Sequence, residues 1–265
     1  MTCFHTIASG SSGNAALFSD GDVHILIDIG ISCRRTVAAL TQLGISPAQL
    51  SVILITHEHT DHIQGLATYI KKYRTPIMCS PGTGRQLRYR LAGIDPLLRT
   101  VPLGMREQFG QVEITFLPTS HDCRESCAFR IAGENGVLGY LTDTGYIPQE
   151  TAQALLGADL LVLESNHDVE MLRSGPYPYP LKQRVLGPEG HLSNDVAARF
   201  AADSAKQGTR DIILAHLSKE NNTPQAALNT VGRRLEAAGY TGGLTVAPRD
   251  TVSEAHRLER AICRK

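Results

Sequence analysis

Short apolar runs separated by turn residues dominate the first third of the chain. CFHTI (3–7), AALF (15–18) and VHILIDI (23–29) are β-rich and are split by SGSSGN and SDGD, which predicts strands joined by tight turns. SCRRTVAALTQLG then changes to a helical period, with Ser32 as N-cap and Gly44 as stop. SVILI (51–55) is the next strand. DHIQGLATYIKKY places Ile63, Leu66, Ala67 and Ile70 on one helical face, which predicts a helix over 61–73. PIMCS predicts a short strand, and the segment to about Gly93 a helix.

VEITFLP, CAFRIAG and VLGYLTD are again strand-like. After them helix and strand alternate: a helix near 149–156, the strand ADLLVLE, the Pro-rich segment GPYPYPLKQR, the helix SNDVAARFAADSA, the strand DIILAH, a helix from about Thr223 to Ala238, and a last strand LTVA. Two sets of strands, each with helices, predict an α/β protein in which sheet packs on sheet with helices outside. No linker, low-complexity run or repeat interrupts the chain. The expectation is one domain over 1–265, made of two α/β halves, about 1–148 and 149–265.

Composition narrows the class. At 42% hydrophobic and 20% charged residues, the chain reads as an ordinary water-soluble one. It has no apolar run of membrane-spanning length and no signal-peptide pattern in MTCFHTIASGSSGN, so a cytoplasmic protein without a membrane partner is expected. Cys3, Cys33, Cys79, Cys123, Cys127 and Cys263 have no framework spacing and read as reduced thiols. Cys123 and Cys127 resemble a metal half-site that no second pair completes. Basic and acidic residues balance at 26 each, so any nucleic-acid binding must use local patches rather than bulk charge.

The chemistry concentrates in THEHTDH, residues 56–62, which ends the buried strand SVILI with His57, His59, Asp61 and His62. Imidazole and carboxylate together suit divalent Zn, Mn or Fe. One ion takes three or four protein ligands, so four clustered candidates point to two ions. Similar residues recur at other strand ends: Asp28 in LIDIG, His121 in FLPTSHD, Asp143 in YLTDTG and His216 in IILAHLS. Alone, Asp28 or Asp143 reads as a turn or capping residue. As a set they read as strand ends converging on one site.

In this order the motifs resemble those of the metallo-β-lactamase superfamily over nearly the whole chain. The resemblance implies the αββα four-layer sandwich, with a dinuclear site between its sheets. It implies that His57, His59 and His121 hold the first metal, and that Asp61, His62 and His216 hold the second. It further implies that Asp143 bridges them and that Asp28 orients a ligand histidine. Glu58 matches no ligand position and reads as solvated or structural. Redox di-iron members of the superfamily usually carry glutamate where this chain has His59, so hydrolysis is expected rather than electron transfer.

SGSSGN (9–14), LESNHDVEML (163–172), GPYPYPLKQR (175–184), GHLSN (190–194) and HLSKENN (216–222) are similar to the YycJ/WalJ family, a branch related to tRNase Z. That resemblance implies a 5′→3′ DNA exonuclease without an inserted β-CASP domain. It implies catalytic roles for Asp61, as metal ligand orienting the attacking hydroxide, and for His191, as acid to the departing oxygen.

The other segments offer substrate contacts and structural readings side by side. Ser11, Ser12 and Asn14 either present hydroxyls and N–H groups to a phosphate or form a tight turn. Tyr177 and Tyr179 offer faces for base stacking, and Lys182 and Arg184 charges for phosphates, unless the prolines merely shape a loop. Asn221 and Asn222 are candidates to position substrate or the ligands. His167 has no assigned role, and His5, His24 and His256 read as structural or exposed.

Three functions follow in order of fit: a metal-dependent phosphodiesterase acting on DNA; a hydrolase of a small cyclic phosphodiester, thioester or lactone; and a non-catalytic metal-binding protein. A narrow pocket closed by the Pro-rich segment favours the second, an open groove the first. A closed four-ligand site would favour the third.

Overall fold

A computed structural model describes residues 2–258. β1 (Thr2–Ala8), β2 (Ala15–Asp20) and β3 (Val23–Ile27) form an antiparallel meander, and β4 (Leu50–Leu54), β5 (Ile77–Cys79) and β6 (Leu98–Thr100) extend it in parallel. The connections carry α1 (Cys33–Gln42), α2 (Thr60–Ile63), α3 (Leu66–Tyr69) and α4 (Pro81–Arg90). A second sheet begins with the antiparallel strands β7 (Arg106–Phe109), β8 (Val112–Pro118), β9 (Cys127–Gly133) and β10 (Gly136–Leu141). It continues in parallel through β11 (Leu160–Glu164), β12 (Asp211–Ala215) and β13 (Gly243–Val246). Here α5 (Gln149–Leu155), α6 (Val169–Ser174), α7 (Tyr179–Leu186), α8 (Asn194–Lys206) and α9 (Pro224–Ala237) fill the connections. β14 (His256–Leu258) returns to pair with β1.

The strands are apolar on both faces because both faces are covered. Along β3 and β4, Ile25, Ile27, Val52 and Leu54 point between the sheets, where they meet Phe116, Phe129 and Val162. The alternate residues Leu26 and Ile53 point outward, against Leu40, Leu66 and Leu87 of the helices. A third cluster joins Leu161, Leu163, Ile212 and Leu214 to Ala201, Val231 and Leu235 of α8 and α9. The order of layers is therefore helix, sheet, sheet, helix, the α/β sandwich expected from the sequence.

Several local expectations change. The helix over 61–73 is broken into α2 and α3. The Gly65 N–H donates to Ile29 O, and a Cβ at Gly65 would lie 2.3 Å from Ile31 O, so docking on residues 29–31 stops the helix there. The sheets exchange between Thr100 and Arg106 rather than near residue 148, and β14 rejoins the first sheet, so the expected halves do not coincide with the layers. Part of the Pro-rich segment is helical: α7 carries Pro180 in its first turn, where a missing N–H costs nothing. Cys3, Cys33, Cys79, Cys123 and Cys127 are free thiols, and Cys263 lies outside the described residues. Among the described residues no helix is long and apolar enough to cross a membrane.

Candidate metal centre

β8 and β10 both run antiparallel to β9, and β11 and β12 run parallel to β10, so the C-terminal ends of all four share one edge. His121, Asp143, Glu164 and His216 sit at those ends, and Asp28 and residues 56–62 at the ends of β3 and β4. Asp28, Asp143 and His216 adopt left-handed backbone with φ of 59°, 56° and 56°. Non-glycine residues pay for that conformation, and it turns each side chain off its strand into the space between the sheets. Close approach matters as well: a Cβ at Gly30 would fall 1.6 Å from Asp61 O, so only glycine lets the 28–30 and 56–62 loops meet.

The ligand atoms form overlapping groups. His57, His59 and His121 each bring one nitrogen within 4.8 Å of the others, as do Asp61, His62 and His216 with their own donors. His121 Nε2 lies 3.2 Å from His59 Nδ1; Asp61 Oδ2 lies 3.6 Å from His62 Nε2 and 3.5 Å from His216 Nε2. Asp143 stands between the groups, with Oδ2 3.2 Å from His62 Nε2 and Oδ1 3.8 Å from His121 Nε2. No cysteine joins such a cluster among the described residues.

Buried groups hold these donors in place. Asp28, fully buried, puts Oδ2 2.7 Å from His62 Nδ1 and accepts the Thr56 N–H at 2.8 Å. Glu164, which the sequence reading left as a strand end, places Oε1 2.7 Å from His191 Nδ1 and 3.0 Å from His216 Nδ1. Its Oε2 accepts the N–H groups of Thr144 and Leu192. Burial raises the Glu164 pKa, but the charge and hydrogen bond of His191 and the bond from His216 outweigh it and bring it to about 2. Glu164 is therefore an acceptor only, which fixes the N–H of both rings on Nδ1 and turns both Nε2 atoms outward. Asp122 Oδ1 approaches His121 Nε2 at 3.5 Å and His59 Nε2 at 3.8 Å, while its other oxygen accepts from Arg184 Nε. Glu58 is buried, accepting from Arg124 N at 3.0 Å and Thr83 Oγ1 at 3.2 Å, so it is structural rather than solvated.

The donor set fits divalent cations on an independent observation. His57 Nε2, His216 Nε2 and Asp143 Oδ2 are buried and have no hydrogen-bond partner, although such atoms are normally satisfied. Burial and the neighbouring His62 charge hold the His57 pKa well below the usual range, leaving that ring neutral with a free lone pair. Burial also opposes charge on His62 and His216. Asp143 and Asp28 nonetheless hold His62 well above its ordinary value, and Asp143, with the neighbouring carboxylates of Asp61 and Glu164, raises His216 to about 10.

Two expectations follow. Without metal, His216 stays protonated at pH 8 and His62 is shifted in the same direction, so cation uptake must expel protons and weaken as pH falls. Calorimetry in buffers of different ionisation enthalpy should show net proton release at pH 8; a buffer-independent heat would contradict it. Asp28→Asn should weaken metal binding by about 10- to 100-fold, because it removes the carboxylate that orients His62. Metal titration of the purified variant measures this, and wild-type affinity would refute it.

Beside the donors lies a cavity of about 210 Å³. His121, Asp122 and His191 form one wall, Tyr177, Leu181 and Arg184 another, with Ser11 and Ser218 at the edge. The predicted substrate residues thus divide. Ser11, Tyr177 and Arg184 reach the cavity, whereas Tyr179 and Lys182 line a separate surface hollow and Ser12 is exposed outside it.

Asn14, Asn221 and Asn222 are all buried and bond neighbouring loops. Asn14 accepts the Gly10 N–H at 2.9 Å and lies 3.1 Å from His62 Nε2. Asn222 donates to Ser165 O and Asn166 O, and Asn221 bonds Ser218. Their amides bind loops together, and one-letter sequence cannot separate such asparagines from solvent-facing ones. His167 is buried with both ring nitrogens unpartnered, and burial lowers its pKa to about 4. His5 and His24 bond Ser253 O and Ser19 Oγ away from the centre.

Comparison with known proteins agrees with this geometry. Residues 24–217 match the family model described as the beta-lactamase superfamily domain. The chain is 36% identical over 249 residues to exodeoxyribonuclease YycJ of Bacillus anthracis, covering 94% of each. It is 34% identical over 251 residues to exodeoxyribonuclease WalJ of Streptococcus pneumoniae, covering 94% of this chain and 93% of that one. The metallo-beta-lactamase fold protein YhfI of Bacillus subtilis superposes with a TM-score of 0.69 at 20% identity, over 96% of this chain and 100% of that one, a likeness of fold.

Proposed function

Because the chain belongs to the β-lactamase superfamily, in the family of the YycJ and WalJ exodeoxyribonucleases, we propose that it is a dinuclear metal-dependent exonuclease of DNA acting from the 5′ end. The observation that carries the reading is a full set of metal donors beside a cavity that one of them, His121, shares with a further histidine, His191. His57, His59 and His121 would hold one ion, and Asp61, His62 and His216 the other, with the Asp143 carboxylate within reach of both groups. Bound there, Zn, Mn or Fe supplies Lewis-acid charge at the phosphate and lowers the pKa of water.

The chain's own residues then divide the work. Asp61, with its side chain 25% exposed against 3% for Asp143, is the more accessible carboxylate of the set, and it orients the attacking water. Glu164 holds the His191 Nδ1–H inward, so the imidazolium form directs its second N–H, on Nε2, at the departing 3′ oxygen and is left neutral once that proton is given up. Asp28 and Glu164 hold His62 and His216 in register without touching substrate. Tyr177 and Arg184 frame the terminal nucleotide.

A 5′-phosphorylated labelled DNA strand incubated with Mn²⁺ or Zn²⁺ tests the proposal. Mononucleotides released from the 5′ end are expected, and no metal-dependent product at confirmed metal occupancy would overturn it. The small cavity walled by α7 admits a terminal nucleotide but no duplex. The same feature favours, as a second reading, hydrolysis of a small phosphodiester. A higher kcat/KM on a cyclic dinucleotide than on DNA would select that reading.

A further inference from the structure

α8 and α9 pack on the outer face of the second sheet, and a cleft of about 360 Å³ opens between them. Its lining follows helical spacing on both sides. Ala198, Thr230 and Ala237 form a floor of small side chains, and Arg199, Arg233 and Arg234 stand around it, with Asp195 at one end. Three guanidinium groups therefore face one carboxylate, in a chain whose charges balance overall.

The three arginines are exposed, and none has an ion pair or side-chain hydrogen bond among the described residues. Some arginines elsewhere reach a carboxylate, as Arg99, Arg106, Arg184 and Arg210 do; what distinguishes Arg199, Arg233 and Arg234 is that they border one cleft together. Guanidinium forks match phosphate oxygens two by two, and a cluster left unneutralised keeps that capacity free. One end of the cleft is tied to the candidate site by the chain: Asp195 follows His191 by four residues, a separation of at most about 14 Å, or roughly four nucleotides at about 3.4 Å of rise per strand.

We propose that the α8–α9 cleft binds the phosphate backbone of the DNA strand a few nucleotides from the cleaved bond. This rests on the nuclease reading and adds a second, non-catalytic contact to it. A substrate too short to reach the cleft gains nothing from it, so the arginines act on affinity for long strands and leave bond cleavage alone.

The test combines Arg199→Gln, Arg233→Gln and Arg234→Gln in one protein, with single Arg199→Glu as a second variant should the triple fold poorly. Binding of a long labelled single strand is followed by fluorescence anisotropy across a salt series, and cleavage is compared on that strand and on a dinucleotide. For the triple variant the slope of log affinity against log salt should flatten by about 2, since each single-strand phosphate contact contributes about 0.7. KM for the long strand should rise at least about tenfold with kcat unchanged, and dinucleotide cleavage should stay as in wild type.

Unchanged affinity and slope would overturn the proposal, as would equal losses on both substrates. So would inorganic phosphate stabilising wild type but not the variant while DNA affinity stays the same, which would make the cleft a free-phosphate site. Failure of the nuclease reading shows separately, as a wild type that binds the strand and cuts neither substrate.

Discussion

Asp143→Asn is expected to lower kcat/KM by about 10³-fold or more and to strip bound metal, because cation stabilisation of the reacting phosphate is worth several kcal/mol. The carboxylate is 2% exposed, and its oxygens face both donor groups: Oδ2 lies 3.2 Å from His62 Nε2, Oδ1 3.3 Å from His216 Nδ1 and 3.8 Å from His121 Nε2. Burial raises its pKa, yet the charges of His216 and His62 outweigh that and hold it well below the carboxylate range, so it is ionised at any working pH. Asparagine keeps the volume and tolerates the left-handed backbone at φ 56°, so the loss is one of charge rather than of shape. With the charge gone, two cations would share a site short of one anion. Metal content by elemental analysis and turnover on a 5′-phosphorylated strand measure the outcome. A variant that keeps two equivalents of metal and activity within tenfold of wild type would remove Asp143 from the centre.

How far such a site could be read from sequence depended on where its residues fall. The donors of 56–62, His121, Asp143 and His216 were legible because each interrupts the end of an apolar run, where a polar residue needs a reason. Glu164 met the same condition: it closes ADLLVLE, and a carboxylate ending so buried a strand requires partners. It passed for a strand boundary because its partners, His191 and His216, lie 27 and 52 residues away. The break between α2 and α3 was not legible either. Its cause is the backbone of residues 29–31, and local periodicity carries no trace of a distant carbonyl. The sandwich itself was legible, since strands apolar on both faces demand cover on both sides. The sheet exchange near residue 100 was not, because β6 and β7 have three and four residues and little pattern of their own.

His191→Ala is expected to lower kcat on DNA by about 10²- to 10⁴-fold, the usual worth of a positioned proton donor, with metal content intact. The ring lies 4.9 Å from His121 and 5.3 Å from His216, centroid to centroid, close enough to serve the same substrate. Its Nδ1 is occupied by Glu164, which leaves Nε2 free. Asp143, Glu164, His191 and His216 also converge within 4.8 Å, so a ligand role for His191 is the competing account. Two readouts separate them. A proton donor matters only when the departing oxygen is a poor leaving group, so the loss should shrink to about tenfold or less on a p-nitrophenyl phosphodiester, whose phenolate needs no proton. A ligand would lose metal and fail on both substrates alike. Glu164→Gln sharpens the contrast, because Glu164 serves two rings. Its replacement should impair turnover through His191 and also loosen metal through His216, so metal affinity falls there and not in His191→Ala. Equal metal loss in both variants would place His191 among the ligands and leave the leaving group to be protonated by water.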